Sequence, residues 1–406
     1  MNFTKDFGIV EPTVLQKDDN LLILYNRFTT KKVFTTKEQL SGIDKEVMKE
    51  LRDGKVVIKI PSLNRFRIET TFRCNGGCDY CLVYNNPIRS QGEDMRVEIS
   101  KVINNRFNSE VELGSIMLIG GEPLMNMPVV RDFIDNSKGY ILVFTNGTLI
   151  DDSVAKLLSK PHVSTFVSVD GRERDNFHRK TKEGFPMYKD SLKGYLKLKD
   201  KGANTGISCL VTNDNVDSLE EIVHFFHENL GESIFGLSTP HRTRQNAFAV
   251  DMEKYTAHMI SLFHYSQDSG IYIAQVANIL QPLVMSTPRL SACKIVGEQV
   301  TFYPDGSQTL CAKLDTLEEY KSLTAQELRE KMPLSTGECH ECNSIGICGG
   351  GCIWDAALDR SGNDINTCTF VQSMLEPLLW NMYRDAPKNV IVRPGHLPKH
   401  VSMTRP

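Results

Sequence analysis

The chain has 406 residues, with 47 Lys and Arg against 50 Asp and Glu for a net charge of −3. That length buries a large core and predicts more than one domain, while the near-balanced charge leaves no basic field for gripping a nucleic-acid backbone. No apolar run reaches the length of a membrane span, and the opening Met1-Asn-Phe-Thr-Lys-Asp6 lacks a signal-peptide core. The expectation is a cytoplasmic protein with neither nucleic acid nor membrane as partner. Eleven cysteines fall in tight, short-spaced groups. In a large unexported chain this favours metal or cluster ligation over disulfides.

Residues 1–63 predict a small α+β module. Leu21-Leu-Ile-Leu-Tyr25 and Lys32-Val-Phe34 are apolar runs with polar bounds and predict a strand pair. Thr36 and Gln39 resemble a capping box, opening a helix toward Leu51 that Gly54 ends, and Val56-Val-Ile-Lys-Ile60 returns as a strand. From 64 to 240 short β-rich runs alternate with helical periodicity. The runs begin at Arg67, Ser115, Ile141, Thr165, Gly206 and Ile234. Alternation of this kind predicts an α/β fold, a partial (β/α)6 TIM-like barrel with its chemistry at the C-terminal strand ends. Residues 241–290 predict a helical bridge. Residues 291–370 are Gly- and Cys-rich and predict a metal-dependent domain, and 371–406 a final helix and tail.

Cys74, Cys78 and Cys81 follow the first predicted barrel strand in the spacing C-x-x-x-C-x-x-C. Three thiolates can hold three corners of a cubane iron–sulfur cluster and leave the fourth iron open to a reactant. Asn75, Gly76 and Gly77 let the loop wrap closely round an inorganic core. Zinc is the competing ligand, but no fourth Cys or His sits within several dozen residues. Gly120-Gly-Glu-Pro123 ends the second strand, where paired glycines expose carbonyls and Glu122 supplies an acceptor for an ammonium.

On the motif Cys74-Asn-Gly-Gly-Cys-Asp-Tyr-Cys81 the chain resembles the radical S-adenosylmethionine (SAM) superfamily over residues 64–240. The resemblance implies a [4Fe–4S] cluster whose open iron binds SAM and, after reduction, yields a 5′-deoxyadenosyl radical. It assigns Gly120, Gly121, Glu122 and Pro123 to the SAM amino group. Ser168 and Asp170, in Ser168-Val-Asp-Gly171, would meet the ribose and carboxylate, and Arg179 the carboxylate. Tyr80 would pack on the adenine, and Thr145-Asn-Gly147 fits the same surface.

Seven more cysteines lie at Cys293, Cys311, Cys339, Cys342, Cys348, Cys352 and Cys368, with Gly306 between the first two and three glycines between Cys348 and Cys352. Seven thiolates exceed what one cubane needs, so two centres are implied; a two-zinc knuckle is the alternative. The spacing resembles the SPASM extension of radical SAM enzymes. That resemblance implies Cys293, Cys311 and Cys352 on auxiliary cluster I, with Cys339, Cys342, Cys348 and Cys368 on auxiliary cluster II. Cluster I is then open or takes a non-cysteine ligand. Cys209, in an apolar strand, is expected in the core.

SPASM enzymes mostly modify peptides or proteins. The expected function is a peptide maturase that abstracts hydrogen from a ribosomally made peptide and installs a thioether or carbon–carbon crosslink. Its expected partners are a leader-bearing peptide and a flavodoxin or ferredoxin donor. Two alternatives stand beside it: an anaerobic sulfatase-maturating enzyme forming formylglycine, and a non-catalytic electron carrier. In the sulfatase group an aspartate base follows the cysteine that matches Cys311; here the residue is Ala312. The 63 residues ahead of the barrel suit leader recognition, or a cap over the barrel. No base is assigned among Asp305, Asp315 and Asp359, each expected at the surface.

Overall fold

The computed structural model describes residues 2–60, 62–82, 93–241, 248–336, 339–359, 362–384 and 386–397. The chain forms two compact units. One comprises Met1–Ile60, Met252–Val296 and Leu323–Pro406; the other comprises Pro61–Asp251 and Gly297–Ser322.

In chain order the first unit opens with β1 (Asn2–Ile9), β2 (Thr13–Gln16), β3 (Leu21–Tyr25), β4 (Lys32–Thr36), α1 (Lys45–Arg52) and β5 (Asp53–Lys59). The predicted pair β3 and β4 is antiparallel, with β2 on the other side of β3. β1 pairs antiparallel with β5. The predicted capping box at Thr36 does not start the helix. Thr36 Oγ1 caps only a short turn, and α1 begins after Asp44, whose carboxylate accepts from Glu46 N at 2.8 Å and Val47 N. Asp44 wins because an ionised acceptor makes the stronger N-cap and favours the positive helix end.

The second unit takes β6 (Arg65–Glu69), α2 (Val97–Glu110), β7 (Ser115–Ile119), α3 (Met127–Asn136), β8 (Tyr140–Thr145), α4 (Asp152–Leu158), β9 (Val163–Ser168), α5 (Tyr188–Asp200), β10 (Asn204–Leu210), α6 (Leu219–His224) and β11 (Ile234–Ser238). Strands β6 to β11 pair in sequence order, all parallel, as the strand–helix alternation predicts. Alternate residues of β6 divide between two faces. Phe66 and Ile68 are fully buried, with Phe66 edge-on to Phe107 of α2, so Arg67 and Glu69 project to the other side. Cys209 on β10 is buried, as expected.

The chain then supplies α7 (Met252–Ser269), β12 (Tyr272–Ile273) and α8 (Ala274–Met285) to the first unit. Two strands of the cysteine-rich region, β13 (Gln299–Phe302) and β14 (Gln308–Thr309), belong to the second. β13 runs parallel to β6, pairing Thr301 with Arg67, and the β13–β14 turn carries Gly306. The remaining helices are α9 (Ala325–Glu330), α10 (Pro333–Thr336), α11 (Ile345–Cys348), α12 (Ile353–Leu358) and α13 (Ile365–Tyr383). They are too short, α13 apart, to leave a periodicity in the sequence. No helix among the described residues is long and apolar enough to cross a membrane.

Within the first unit the N-terminal module packs on the cysteine-rich loop. Phe7 stacks on Phe28 at 4.1 Å, and both meet the edge of His340. Arg27 Nε donates to the His340 carbonyl at 2.6 Å, and the Arg27 carbonyl accepts from Gly346 N at 3.0 Å. The chain end returns along β4, where Val392 N donates to the Lys32 carbonyl and Asn389 N to that of Phe34.

Lys32 itself is fully buried. Its ammonium donates to the carbonyls of Leu283 and Thr30 and to Ser286 Oγ, with no carboxylate among these partners. Burial lowers its pKa to about 7 from the ordinary 10.5. Between those values the unfolded chain binds more protons than the folded one, so stability gains with rising pH. Denaturant unfolding of the cluster-free protein should therefore show wild type gaining on Lys32→Met from pH 7 to 10. A pH-independent difference contradicts this.

Candidate active site

The site is built where β6, β7, β8 and β9 end. A cavity of about 400 Å³ is lined by Cys74, Cys78 and Cys81 together with Tyr80, Gly120, Gly121, Glu122, Thr145, Asn146, Ser168 and Arg179. Residues separated by a hundred positions in the chain converge because parallel strands put all their C-terminal ends on one edge.

The glycines make the junction between the cysteine loop and β7. Gly121 N donates to the Thr71 carbonyl and Glu122 N to that of Arg73, both at 2.8 Å. A Cβ on Gly121 would lie 2.1 Å from the Arg73 carbonyl oxygen, and one on Gly120, at φ +140°, would lie 2.2 Å from that of Thr71. Only glycine lets the two backbones approach this closely.

Glu122 is 1% exposed and its carboxylate is occupied. Oε1 accepts from Thr145 Oγ1 at 2.6 Å and Leu124 N at 3.1 Å; Oε2 accepts from Asn146 N at 2.7 Å. Burial raises its pKa to about 7, against the pull of those donors. Asn146 Nδ2 donates to Asn75 Oδ1 and Asn75 Nδ2 to Thr148 Oγ1, both at 2.8 Å. The Thr145-Asn-Gly turn thus ties the Gly-Gly-Glu-Pro turn to the cysteine loop.

Asp170 is buried and organises the opposite wall. Its Oδ1 pairs with Arg179 Nη2 at 2.9 Å and accepts from Leu210 N at 2.8 Å, while Tyr80 Oη donates to Oδ2. The Arg179 guanidinium lies over the Tyr80 ring, 5.5 Å from its centroid. Burial opposes the charge on Arg179, but Asp170, Tyr80 and Cys78 outweigh it and hold the pKa above the ordinary value. Arg179 Nε is buried and has no hydrogen-bond partner among the described residues.

The three thiols suit a cluster. Burial pushes Cys74 up to about 12, against a 3.2 Å hydrogen bond from Gly76 N, and Glu122, Cys81 and Cys78 add to the rise. Burial raises Cys78 too, offset by Arg179. Mutually destabilised buried thiolates favour binding a cation, and the iron of a cluster would supply it.

In the first unit, Cys339, Cys342, Cys348 and Cys368 form a second set. Burial raises Cys368 to about 11, with Cys339, Asp364 and Cys342 adding, and raises Cys348 to about 12, with Cys368 and Cys342 adding. Gly349, Gly350 and Gly351 all have positive φ, +63°, +80° and +69°, which turns the chain sharply after Cys348. Asp364 caps α13 and accepts from Cys352 N at 2.9 Å. Cys293 and Cys352 belong to this unit and Cys311 to the other. Of the three acids left unassigned, Asp305 is exposed, as expected, and Asp359 half-buried. Asp315 is a half-buried acceptor for Tyr303 Oη at 2.5 Å and Thr309 Oγ1 at 2.7 Å, not a surface residue.

Arg67 and Tyr25 belong to no motif of the sequence. Arg67 had a visible signal, the charged–apolar alternation of Arg65-Phe-Arg-Ile-Glu69. Tyr25 had none; its hydroxyl is buried with no hydrogen-bond partner among the described residues, and only folding brings it near Cys342.

Two substitutions test this geometry. Gly121→Ala should cost on the order of 2–4 kcal/mol by thermal unfolding of the cluster-free protein, and should abolish SAM binding in equilibrium dialysis. Cys348→Ala should lower the iron content of reconstituted protein by about four atoms per chain while leaving SAM binding intact. Unchanged iron would exclude Cys348 as a ligand.

Known proteins share the fold and parts of the sequence. Residues 68–226 match the Radical SAM superfamily model. The radical SAM cyclopropyl synthase TigE of Paramaledivibacter caminithermalis is 24% identical over 346 residues, 76% of this chain and 72% of its own. A cysteine-type anaerobic sulfatase-maturating enzyme of Clostridium perfringens is 24% identical over 322 residues, 69% of this chain and 85% of its own. Among solved structures, native anSMEcpe with bound AdoMet and Cp18Cys peptide superposes with a TM-score of 0.62 at 20% identity, covering 80% of this chain and 98% of that one. Streptococcus suis SuiB bound to precursor peptide SuiA gives 0.54 at 17% identity and 75% of each chain. With the match over residues 68–226, the shared fold and the cysteines in place, the chain carries a Radical SAM domain, of a family that uses a [4Fe–4S] cluster and SAM, and is similar to enzymes that act on peptides or proteins.

Proposed function

We propose that the enzyme is a peptide maturase that removes hydrogen from a ribosomally made peptide and closes a thioether or carbon–carbon crosslink. The observation that carries this choice is Ala312, a buried methyl directly after Cys311 where formylglycine formation places a base. The nearest downstream carboxylate, Asp315, is committed to Tyr303 and Thr309. TigE, by its name a cyclopropyl synthase, favours the carbon–carbon form. SuiB and anSMEcpe, each solved with a peptide, favour a peptide substrate.

In this reading Cys74, Cys78 and Cys81 hold the cluster, and the turns at Gly120–Pro123, Thr145–Asn146 and Ser168 hold SAM with Arg179. Cluster and SAM together supply the hydrogen-abstracting 5′-deoxyadenosyl radical. Asp170 keeps Arg179 and Tyr80 in place before SAM arrives, so little ordering is left for binding. Met117, Ile119 and Phe144 give the cavity apolar walls. Cys339, Cys342, Cys348 and Cys368 would hold one auxiliary cluster. Residues 1–63 are the proposed leader-binding module, and a flavodoxin or ferredoxin the proposed electron donor.

The test is anaerobic reconstitution with SAM and dithionite, assayed for 5′-deoxyadenosine, with small peptides encoded beside the gene as substrates. A maturase yields product lighter by one pair of hydrogens per bond, with fragmentation blocked between the joined residues. Appearance of an aldehyde at a Cys or Ser would instead make it a formylglycine enzyme. No SAM cleavage under any condition would leave only an electron carrier.

A further inference from the structure

Among the described residues, Arg67 in the barrel cavity has no ion-pair partner. Arg67 lies on the face of β6 opposite the buried Phe66 and Ile68, and lines the same cavity as the cluster cysteines. Its Nε is buried with no hydrogen-bond partner among the described residues. No ion pair joins the guanidinium to any of the described carboxylates, whereas Arg179 in the same lining is neutralised by Asp170. Its level is set by register. Arg67 pairs with Met117 on β7, three residues before Gly120, so it sits roughly 10 Å down the barrel from the SAM-binding turn. That places it deeper in the cavity than the strand-end turns, among the lining residues below them.

A half-buried guanidinium left unpaired is costly, and a ligand that completes it recovers charge-assisted, bidentate hydrogen bonds. We propose that Arg67 anchors a carboxylate of the peptide substrate and so fixes which hydrogen faces the radical. A carboxylate fits better than a dianionic phosphate, because Glu69 and Glu122 stand in the same lining and oppose a second negative charge. The proposal rests on the peptide reading above. The carboxylate is either an Asp or Glu side chain or the peptide's C-terminus; both present the same planar acceptor pair.

The experiment separates these sources. Reconstituted holoenzyme with SAM is immobilised and exposed to a random hexapeptide library, made once with free C-termini and once amidated, and the retained peptides are sequenced by mass spectrometry. Wild type should retain acidic peptides about tenfold over Arg67→Gln. Enrichment in both libraries assigns the anchor to a side chain; enrichment in the free-acid library alone assigns it to the C-terminus. Arg67→Glu should reverse the preference toward Lys and Arg, and Arg67→Lys should keep part of it. Iron content and circular dichroism of each variant verify folding. The same acidic content for wild type, Arg67→Gln and Arg67→Glu, or no retained peptide at all, overturns the anchor. The peptide reading is judged separately, by whether retained peptides stimulate 5′-deoxyadenosine formation.

Discussion

The backbone contact between Gly120–Gly121 and Thr71–Arg73 holds the barrel's chemical end together. Two hydrogen bonds of 2.8 Å join the loop that carries the cysteines to the turn that carries Glu122, at a separation no side chain could share. From that seam the rest follows. Glu122 reaches across to the Thr145-Asn turn, Asn146 reaches back to Asn75 between the cysteines, and the thiols come to line one cavity with the strand ends. A buried carboxylate with every oxygen engaged works here as a clamp between three strand ends. Its hydrogen bonds offset the penalty of burial, and the same low dielectric makes them strong.

Charge is distributed unevenly inside this cavity, and the unevenness has functional content. Arg179 and Tyr80 are organised by Asp170 before any ligand is present, which is the preorganisation expected of a cofactor wall. Arg67 lacks such a partner among the described residues, which is the condition expected of a surface that waits for substrate. A site that neutralised both cations internally would have less to offer a charged peptide.

Much of this was legible in the residues. The strand–helix alternation predicted six parallel strands, and β6 to β11 pair in that order. The short cysteine spacing pointed to a cluster, because ligands to one centre must be close in space and a tight loop is the simplest way to keep them so. Two details departed from expectation for local reasons. Asp44 rather than Thr36 caps α1, since an ionised oxygen competes better for the first N–H groups. Among the described residues after Cys293, α9, α10, α11 and α12 are too brief for periodicity to reveal.

What the sequence determined by itself, then, is the set of elements and the local motifs: Cys74 to Cys81, Gly120 to Pro123, and the cysteine run from Cys339 to Cys352. Each is a stretch of a few residues whose chemistry depends on spacing along the chain. Only the tertiary structure decided who meets whom across long separations. It paired β13 with β6, set Phe7, Arg27 and Phe28 on the loop at His340, buried Lys32 against the Leu283 carbonyl of α8, and left Arg67 in the cavity without an ion pair among the described residues. Those outcomes depend on register and on which face of a strand turns inward, and both are fixed by packing the apolar residues rather than by the charged residues that acquire a role from it.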